Sequence, residues 1–359
     1  MMRLLNLVAT GGGTGLSTLL SGLKHYVGTA GVRSRGTSTE YGLAELTALV
    51  TVTDDGGSSG RLRDEFQILP PGDIRNCLVA LAEDEQLLTR LFRYRFRGRG
   101  QLGGHSFGNL FLTALTGVTG DFLEAIRLSS EVLAIKGRIF PSTMTNVRLE
   151  AELDDGTIIR GETRITKAPR PIRAVRLDPP DCRPLQETLA AIARADVIVI
   201  GPGSLFTSLI PNLLVRGIPE AIVQSPAKKI YVCNIMTQPH ETTGYTVEAH
   251  VEHILDYCPG LELDLVLVNS QPISEAMRRK YRAEGAVQVA LENPIQDRTT
   301  GGLGRLILPR RRQSVPVLLR PLIEEGETVR HHPARLSRAV FEAYELLTER
   351  TPGATAGRE

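Results

Sequence analysis

The chain has 359 residues, enough for one large α/β domain or two smaller ones. Its charged residues nearly cancel, and the formal net charge of +2 argues against binding nucleic acid through overall charge. The four cysteines form no C-x-x-C pair, and no segment approaches the roughly 20 apolar residues of a membrane span. We therefore expect a cytoplasmic protein with reduced thiols and no membrane insertion.

A strand, a glycine-rich loop and a helix are predicted in residues 4–23. A buried parallel strand that ends in glycines lets the backbone approach a ligand, and the following helix offers free N–H groups and a positive dipole end. This pattern predicts a phosphate site, with a tight turn that binds nothing as the alternative. Leu16 stands where the dinucleotide motif G-x-G-x-x-G requires glycine, so NAD is not indicated. The candidate binding residues are Gly11, Gly12, Gly13, Thr14 and Gly15.

The next segments are a polar stretch at 28–45, predicted to be a loop or insertion, and a β-branched strand at 47–53. Asp54, Asp55 and Ser58 follow that strand directly. Open α/β sheets bind ligands at the carboxyl ends of their strands, so either aspartate is a candidate for a ribose hydroxyl or a divalent cation. For Asp55, an Asp-Gly turn or a helix N-cap explains the residue equally well.

Two further helix starts carry candidate ligand-binding residues. In residues 69–76 a Pro-Gly turn precedes a helix that Asp73 is placed to cap, and Asn76 follows in the same segment. His105 and Asn109 precede an apolar helix, where they can bind a ligand or move a proton, or where the histidine can be structural. Basic and aromatic residues alternate at 91–99, and we interpret this run as a solvated helix end because it lacks a wider basic field.

The pattern changes at 146–167, where alternating residues flank an Asp-Gly turn. This alternation predicts a β-hairpin appendage on the main sheet, useful for packing or subunit contact, followed by a proline-rich connection at 168–184. A second strand, glycine turn and helix then follow at 195–214. In this turn Gly201 and Gly203 approach a ligand, and Ser204 can cap the helix while offering its hydroxyl to a phosphate.

The remaining predicted elements alternate strands and helices. The strand at 229–233 ends in a polar loop that contains Asn234, Thr237 and Gln238. Further strands are predicted at 265–269, 287–291 and 315–319, with helices at 274–284 and 330–347 and a disordered tail at 349–359.

Six long motifs occur in order along nearly the whole chain: VATGGGTGLSTLLSGLK, TVTDDGGSSGRLRDEF, LPPGDIRNCLVAL, GGHSFGNLFLTALT, IGPGSLFTSLIPNLLV and YVCNIMTQPHET. Together they closely resemble the bacterial gluconeogenesis factor family, the YvcK-like proteins, which is related to the CofD-like 2-phospho-L-lactate transferases. The resemblance implies a single CofD-like domain at 1–348. Its implied fold is a Rossmann-like three-layer α/β sandwich with a mainly parallel sheet and the hairpin as an appendage.

The resemblance also implies a cytosolic regulatory protein that binds UDP-sugars, UDP-N-acetylglucosamine in particular, and supports cell shape and growth on gluconeogenic carbon sources. The glycine loop would face the diphosphate, and Asp54, Asp55 and Ser58 would line the same cleft. Asn234, Thr237 and Gln238 would approach from the other side. Two further family positions match Tyr281 and Arg330. We also expect a homo-oligomer and a protein partner in cell-wall control.

The family has no settled reaction, and the sequence assigns no catalytic residue. The competing hypothesis is a transferase of the 2-phospho-L-lactate type. In that case Asp54 or Asp55 would hold Mg²⁺ against a nucleotide diphosphate while an acceptor hydroxyl attacks phosphorus. A third hypothesis, nucleic-acid binding through residues 93–99, predicts a steep salt dependence.

Overall fold

The computed structural model describes residues 2–29, 32–33, 40–83, 87–293 and 303–349. The strands are β1 (Met2–Gly11), β2 (Val32–Arg33), β3 (Glu40–Val50), β4 (Arg138–Pro141), β5 (Arg148–Leu153), β6 (Ile158–Arg160), β7 (Ile172–Asp178), β8 (Val197–Ile200), β9 (Lys228–Val232), β10 (Leu265–Asn269), β11 (Leu303–Leu308), β12 (Gln313–Arg320), β13 (Ile323–Glu325) and β14 (Val329–His331). The α-helices are α1 (Gly13–Leu23), α2 (Gly57–Phe66), α3 (Gly72–Leu81), α4 (Leu87–Arg93), α5 (Phe107–Thr119), α6 (Phe122–Val132), α7 (Glu162–Ile165), α8 (Gln186–Arg194), α9 (Ile210–Leu213), α10 (Ile218–Gln224), α11 (Val247–Tyr257), α12 (Glu275–Ala283) and α13 (Pro333–Glu349). A 3₁₀ turn (Lys24–Tyr26) follows α1, and a π-helix (Leu205–Leu209) precedes α9.

Within the described residues, nine strands form one central sheet in the order β11-β12-β10-β9-β8-β1-β3-β2, with β4 also paired to β3. The pairs that join β12, β10, β9, β8, β1, β3 and β4 are parallel, whereas β11 and β2 are antiparallel to their neighbours. All residues of β8 are buried, which is typical of a parallel strand covered on both faces. The mainly parallel α/β fold predicted from the sequence is confirmed.

Two groups of helices cover the sheet and give three layers. Helix α1 contacts α3 and α13, and α13 contacts β9 and β10. Helices α8, α9, α10 and α11 contact one another in a second group, in which α8 reaches β1 and α11 reaches β11. None of the described helices is long and apolar enough to cross a membrane. All four cysteines are free and buried, as expected for reduced thiols.

The strand order reverses direction at the centre of the sheet, between β1 and β8. From β1 the chain moves to β3 on one side, whereas β8, β9 and β10 succeed one another on the other side. In open α/β sheets, the loops that leave the carboxyl ends of the strands at such a reversal diverge and leave a crevice. The two predicted glycine loops, after β1 and after β8, therefore flank the crevice of this fold.

The predicted loop at 28–45 is wrong in its second part. Strand β3 begins at Glu40 and pairs with the start of β1, and β2 pairs antiparallel with the first residues of β3. Tyr41 and Leu43 of β3 are buried. The polar residues around them hide this strand in the sequence. Residues 30, 31 and 34–39 of the stretch lie outside the described residues.

The predicted β-hairpin is confirmed in β5 and β6, which pair antiparallel around the Asp-Gly turn. Two details differ. Strand β7, from the predicted connection, pairs with the other side of β5, so the described appendage is a three-stranded sheet. The hairpin also ends at Arg160, because Gly161 has a φ of +93° and the chain turns into α7.

Boundaries in the last third of the chain also differ from the prediction. Arg330 lies in β14, and the final helix begins at Pro333, because proline suits the first helical position, where no backbone N–H is needed. Residues 287–291 form no strand in the described structure; Gln288 makes an isolated bridge to Met236. The predicted tail beyond residue 349 lies outside the described residues.

Candidate functional site

A cleft of about 410 Å³ lies at the reversal point of the sheet. Its wall contains residues from both glycine loops, from the loop after β9, and from α12 and β14. It brings together these residues that the sequence predicted: Gly12, Gly13, Thr14, Gly15, Gly203, Ser204, Asn234, Thr237, Gln238, Tyr281 and Arg330. Gly11 ends β1 and Gly201 follows β8, and neither is part of the lining.

The first turn of α1 provides backbone donors to the cleft. The N-cap, Gly12, has no side chain to bond the first amides, and the first helical N–H groups of any helix lack an intrahelical acceptor. The Gly13 amide is hydrogen-bonded to Asp73. In the described part of the chain, the amides of Thr14 and Gly15 have no acceptor. These two N–H groups and the positive end of the helix dipole can hold an anion.

The two glycine loops touch one another through Gly15. A Cβ atom on this residue would lie 2.3 Å from the Pro202 carbonyl oxygen and 2.9 Å from the Gly203 Cα. Only a residue without a side chain permits this approach. Gly13, by contrast, has a φ of +59°, and the nearest atom to a Cβ placed there is the Ser208 Oγ at 3.7 Å.

The polar residues after β8 and β9 mainly bond one another. Asn234 and Gly203 form a reciprocal pair, in which the Gly203 amide donates to Asn234 Oδ1 at 3.1 Å and Asn234 Nδ2 donates to the Gly203 carbonyl at 2.8 Å. The Thr237 hydroxyl accepts from the Val287 amide at 2.9 Å. The predicted capping role of Ser204 is wrong: it makes no cap hydrogen bond, and its hydroxyl accepts from Gln238 Nε2 at 2.7 Å.

Tyr281 and Arg330 lie side by side in the cleft wall. The Tyr281 hydroxyl accepts a hydrogen bond from the Val329 amide at 2.9 Å, and the side chain packs against a small apolar cluster that contains Met236 and Val329. The exposed Arg330 donates from Nε to the Thr328 hydroxyl at 3.1 Å. The cleft thus holds an aromatic ring and a guanidinium group together with the free amides of α1.

Asp73 does not cap α3, contrary to the prediction. The N-cap is Pro71, and the Asp73 carboxylate points towards the first glycine loop, where its Oδ2 would lie 2.7 Å from a Cβ on Gly12. Burial, and secondarily the charge of Asp54, raise the pKa of Asp73 from 3.8 to about 7. A carboxyl group with this pKa can carry a proton near neutral pH.

The two aspartates after β3 have different partners. Asp54 Oδ1 accepts a hydrogen bond from the Gly56 amide at 2.8 Å. Asp54 therefore stabilises the turn that the sequence suggested for Asp55. Asp55 Oδ1 accepts from the amide and the hydroxyl of Thr163, both at 2.8 Å. The N-cap of α2 is Gly56, so neither aspartate caps that helix. Asp55 instead fastens α7, the short helix that follows β6, to the loop after β3.

Glu162 is a cleft residue that the sequence did not reveal. It begins α7 and lines the cleft, and its Oε2 is buried without a partner in the described structure. Burial is the main reason that its pKa is raised well above the usual value, and the charges of Asp73, Asp54 and Asp55 add to this effect. The sequence predicted a strand here, which hid the position of Glu162. His331, at the end of β14, also lines the cleft and was not predicted.

Three of the remaining predicted residues, Ser58, His105 and Asn109, form a buried polar cluster, and Asn76 has a separate partner. The Ser58 hydroxyl and His105 Nδ1 are 2.9 Å apart, and Asn109 Nδ2 donates to the Ser58 hydroxyl at 3.1 Å. Asn76 Oδ1 accepts from Arg75 at 2.6 Å. Burial and then Arg61 lower the pKa of His105, which favours a neutral ring. The cleft lining does not include these predicted residues: Asp54, Asp55, Ser58, Asp73, Asn76, His105 and Asn109.

Comparisons with known proteins agree with this architecture. Residues 7–303 match the family model described as 2-phospho-L-lactate transferase CofD. The gluconeogenesis factor of Halalkalibacterium halodurans is 44% identical over 342 residues, which cover 95% of this chain and 97% of that protein. The chain belongs to the gluconeogenesis factor family.

Other members of the gluconeogenesis factor family support the assignment. The gluconeogenesis factor of Bacillus subtilis is 47% identical over 276 residues, covering 77% of this chain and 82% of that protein. A crystal structure of a UPF0052 family member from Bacillus halodurans superimposes with a TM-score of 0.83 at 44% identity, covering 95% of this chain and all of that one. The resemblance stated from the six motifs is therefore confirmed, as is the fold that it implied.

Proposed function

We propose that this gluconeogenesis factor family member is a cytoplasmic regulatory protein that binds a UDP-sugar, UDP-N-acetylglucosamine in particular. Through that ligand it would support cell shape and growth on gluconeogenic carbon sources. The observation that carries the proposal is that these groups line one cleft. The amides of Thr14 and Gly15, which have no acceptor in the described structure, lie in the same cleft lining as Arg330 and Tyr281.

Each part of a nucleotide sugar has a matching group in this cleft. A diphosphate is held by N–H donors and a guanidinium group, which the α1 amides and Arg330 supply. The Tyr281 ring offers an apolar face for uracil or for the sugar. The volume of about 410 Å³ falls within the roughly 300–1,000 Å³ of small-molecule pockets.

Calorimetric titration with UDP-N-acetylglucosamine, with and without Mg²⁺, tests the proposal. We expect saturable binding at one site per chain and an unchanged ligand when the mixture is analysed afterwards. UMP, which lacks the second phosphate and the sugar, should bind more weakly. Absence of a binding signal from the folded protein would rule out the proposed ligand.

The second candidate is a magnesium-dependent transferase that acts on a nucleotide diphosphate. The charge of Asp54 raises the pKa of Asp73, and both aspartates raise that of Glu162, so the charges of these three carboxyl groups influence one another. In the described part of the chain, no three His, Cys, Asp or Glu side chains form a group that could hold a metal alone. Mg²⁺ is, however, commonly held by one or two carboxylates together with substrate phosphates.

Asp54 and Asp73 fit such a cation better than Asp55, whose Oδ1 already accepts two hydrogen bonds from Thr163. Bound Mg²⁺ would offset the repulsion between these carboxylates and a diphosphate. The chain itself would orient the diphosphate through the Thr14 and Gly15 amides. Cleavage of the diphosphate that requires Mg²⁺ and disappears in Asp54→Asn would favour the transferase. Binding without any product would favour the regulator.

A further inference from the structure

The polar atoms of the cleft fall into two classes. The Thr14 and Gly15 amides and the Arg330 guanidinium are donors, which suit the oxygens of a diphosphate. Three side-chain atoms of the lining are buried without a partner in the described structure: Glu162 Oε2, His331 Nε2 and Gln238 Oε1. The raised pKa of Glu162 lets its carboxyl group carry a proton, whereas His331 Nε2 and Gln238 Oε1 belong to uncharged side chains and can act as acceptors. Phosphate oxygens at neutral pH are acceptors and cannot satisfy them. Buried polar atoms are usually hydrogen-bonded, so we expect a ligand to donate hydrogen bonds to His331 Nε2 and Gln238 Oε1.

The environment of His331 favours an uncharged imidazole ring. The residue is 7% exposed, and burial lowers its pKa to about 4, so the ring is neutral. A smaller effect in the opposite direction comes from a hydrogen bond to the Cys233 backbone. A bond that raises the pKa of histidine is one in which the ring donates, here to the carbonyl oxygen. Nε2 has no partner in the described residues, so it is a ring nitrogen that is left for a ligand.

If Nδ1 carries the proton of this neutral ring, Nε2 keeps a lone pair and can accept a hydrogen bond. Gln238 is arranged in a similar way. Its amide nitrogen donates to Ser204, and its oxygen remains without a donor in the described structure. Each of these two side chains thus has an atom in the cleft lining that can accept a hydrogen bond and has no partner in the described structure.

We infer that His331 Nε2, assisted by Gln238 Oε1, accepts a hydrogen bond from an N–H or O–H group in the uncharged part of the ligand. This inference rests on the proposed function, since it assigns a specificity-determining residue within the same cleft. The donor is the imide N–H of the base or a hydroxyl or amide group of the sugar. Such a contact distinguishes a nucleotide sugar from inorganic diphosphate, which has no such donor.

Three variants test the role of His331. His331→Asn keeps a side-chain N–H near the Cys233 carbonyl but lacks an acceptor at the position of Nε2. His331→Gln can return an amide oxygen to that position. His332→Asn is the matched control, because His332 is the next residue, lies outside the cleft lining and borders a different surface with Arg335.

Calorimetric titration of each variant with UDP-N-acetylglucosamine and with UDP gives the readout. We expect His331→Asn to weaken binding of UDP-N-acetylglucosamine on the order of tenfold, since a donor of the ligand loses its acceptor. His331→Gln should recover part of this loss, and His332→Asn should bind like the unaltered protein. A loss confined to UDP-N-acetylglucosamine places the donor on the N-acetylglucosamine group, and an equal loss for UDP places it on the uridine, in its base or its ribose.

Unchanged affinity of a folded His331→Asn for both ligands would overturn the inference while leaving the proposed function intact. Failure of the unaltered protein to bind UDP-N-acetylglucosamine would instead overturn the proposed function. If His331→Asn does not fold, ¹⁵N-histidine NMR of the unaltered protein gives the same test. We expect the Nδ1–H tautomer and a shift of the Nε2 resonance on saturation with the ligand. An Nε2 resonance that does not move contradicts the inference.

Discussion

Alanine at Gly13 and alanine at Gly15 should have different effects, although the two residues belong to the same loop. At Gly15 the new Cβ would lie 2.3 Å from the Pro202 carbonyl oxygen, in a contact between two backbones. At Gly13 the nearest atom is 3.7 Å away, so the methyl group has space, but that space is part of the cleft. Gly15→Ala therefore perturbs the fold, whereas Gly13→Ala perturbs the binding of a ligand.

The magnitudes follow from these distances. Gly13 has a φ of +59°, and an alanine in this left-handed region costs about 1–2 kcal/mol. Reduced freedom of the unfolded chain offsets about 0.4–1 kcal/mol of this, so we expect a net loss of about 1 kcal/mol. Gly15→Ala must separate two loops by about 1 Å to restore van der Waals contact. Such overpacking costs about 3 kcal/mol, at the upper end of its usual range.

Urea denaturation followed by circular dichroism measures the stability, and calorimetry with UDP-N-acetylglucosamine measures the binding. We expect Gly13→Ala to remain folded with an affinity reduced by at least about tenfold, because its methyl group occupies space beside the Thr14 and Gly15 amides. Equal stability of Gly15→Ala and the unaltered protein would show that the two loops are not in contact. Normal ligand affinity of Gly13→Ala would show that the first glycine loop does not hold the ligand.

Three further predictions concern single side chains. Arg330→Ala should weaken the binding of UDP-N-acetylglucosamine by about 1.5–3 kcal/mol, which is the usual contribution of a hydrogen bond to a charged group. The control Arg338→Ala, which changes another exposed arginine, should leave the calorimetric affinity unchanged. Tyr281→Phe should lower the free energy of unfolding by about 1 kcal/mol, because the Val329 amide loses its acceptor. This variant should bind the ligand far better than Tyr281→Ala, which lacks the ring. Equal binding by the two variants would contradict the role of the aromatic face. The pKa of Asp73 is raised from 3.8 to about 7, so the folded protein binds a proton more tightly than the unfolded chain, and stability should fall as the pH rises from about 4 to about 7. Asp73→Asn, unfolded in urea in buffers without divalent cations, should lack this part of the pH dependence, and a parallel slope in both proteins would contradict the assignment.

The sequence predicted those parts of the fold that depend on local pattern. The continuous apolar residues of β8 and β10 identify buried parallel strands, and the glycines after β1 and β8 mark the loops that form the cleft. Because a parallel sheet brings the carboxyl ends of its strands to one edge, loops far apart in sequence could be assigned to one site. The 3.1 Å and 2.8 Å bonds between Gly203 and Asn234 join two such loops.

Other site residues depend on features that leave little trace in a sequence. Strand β14 has three residues, too few to show an alternating pattern, so Arg330 was predicted in a helix and His331 was overlooked. Glu162 reaches the cleft because the chain turns at Gly161 with a φ of +93°, and nothing in an isolated glycine specifies that angle. Asp73 looked like a helix cap because the partner of its carboxylate, the Gly13 amide, is 60 residues away in the chain.

The position of Glu162 in the cleft depends on contacts that lie outside the cleft. Helix α7, which carries Glu162, is fastened by Thr163 to Asp55. This helix directly follows β6 of the three-stranded sheet, in which the buried Glu150 pairs with Arg160 and Arg176. These arginines are exposed and lie outside the lining of the cleft. We therefore expect substitutions on this outer surface to shift Glu162 within the cleft, and with it the affinity for the proposed ligand, while the other residues of the lining stay the same.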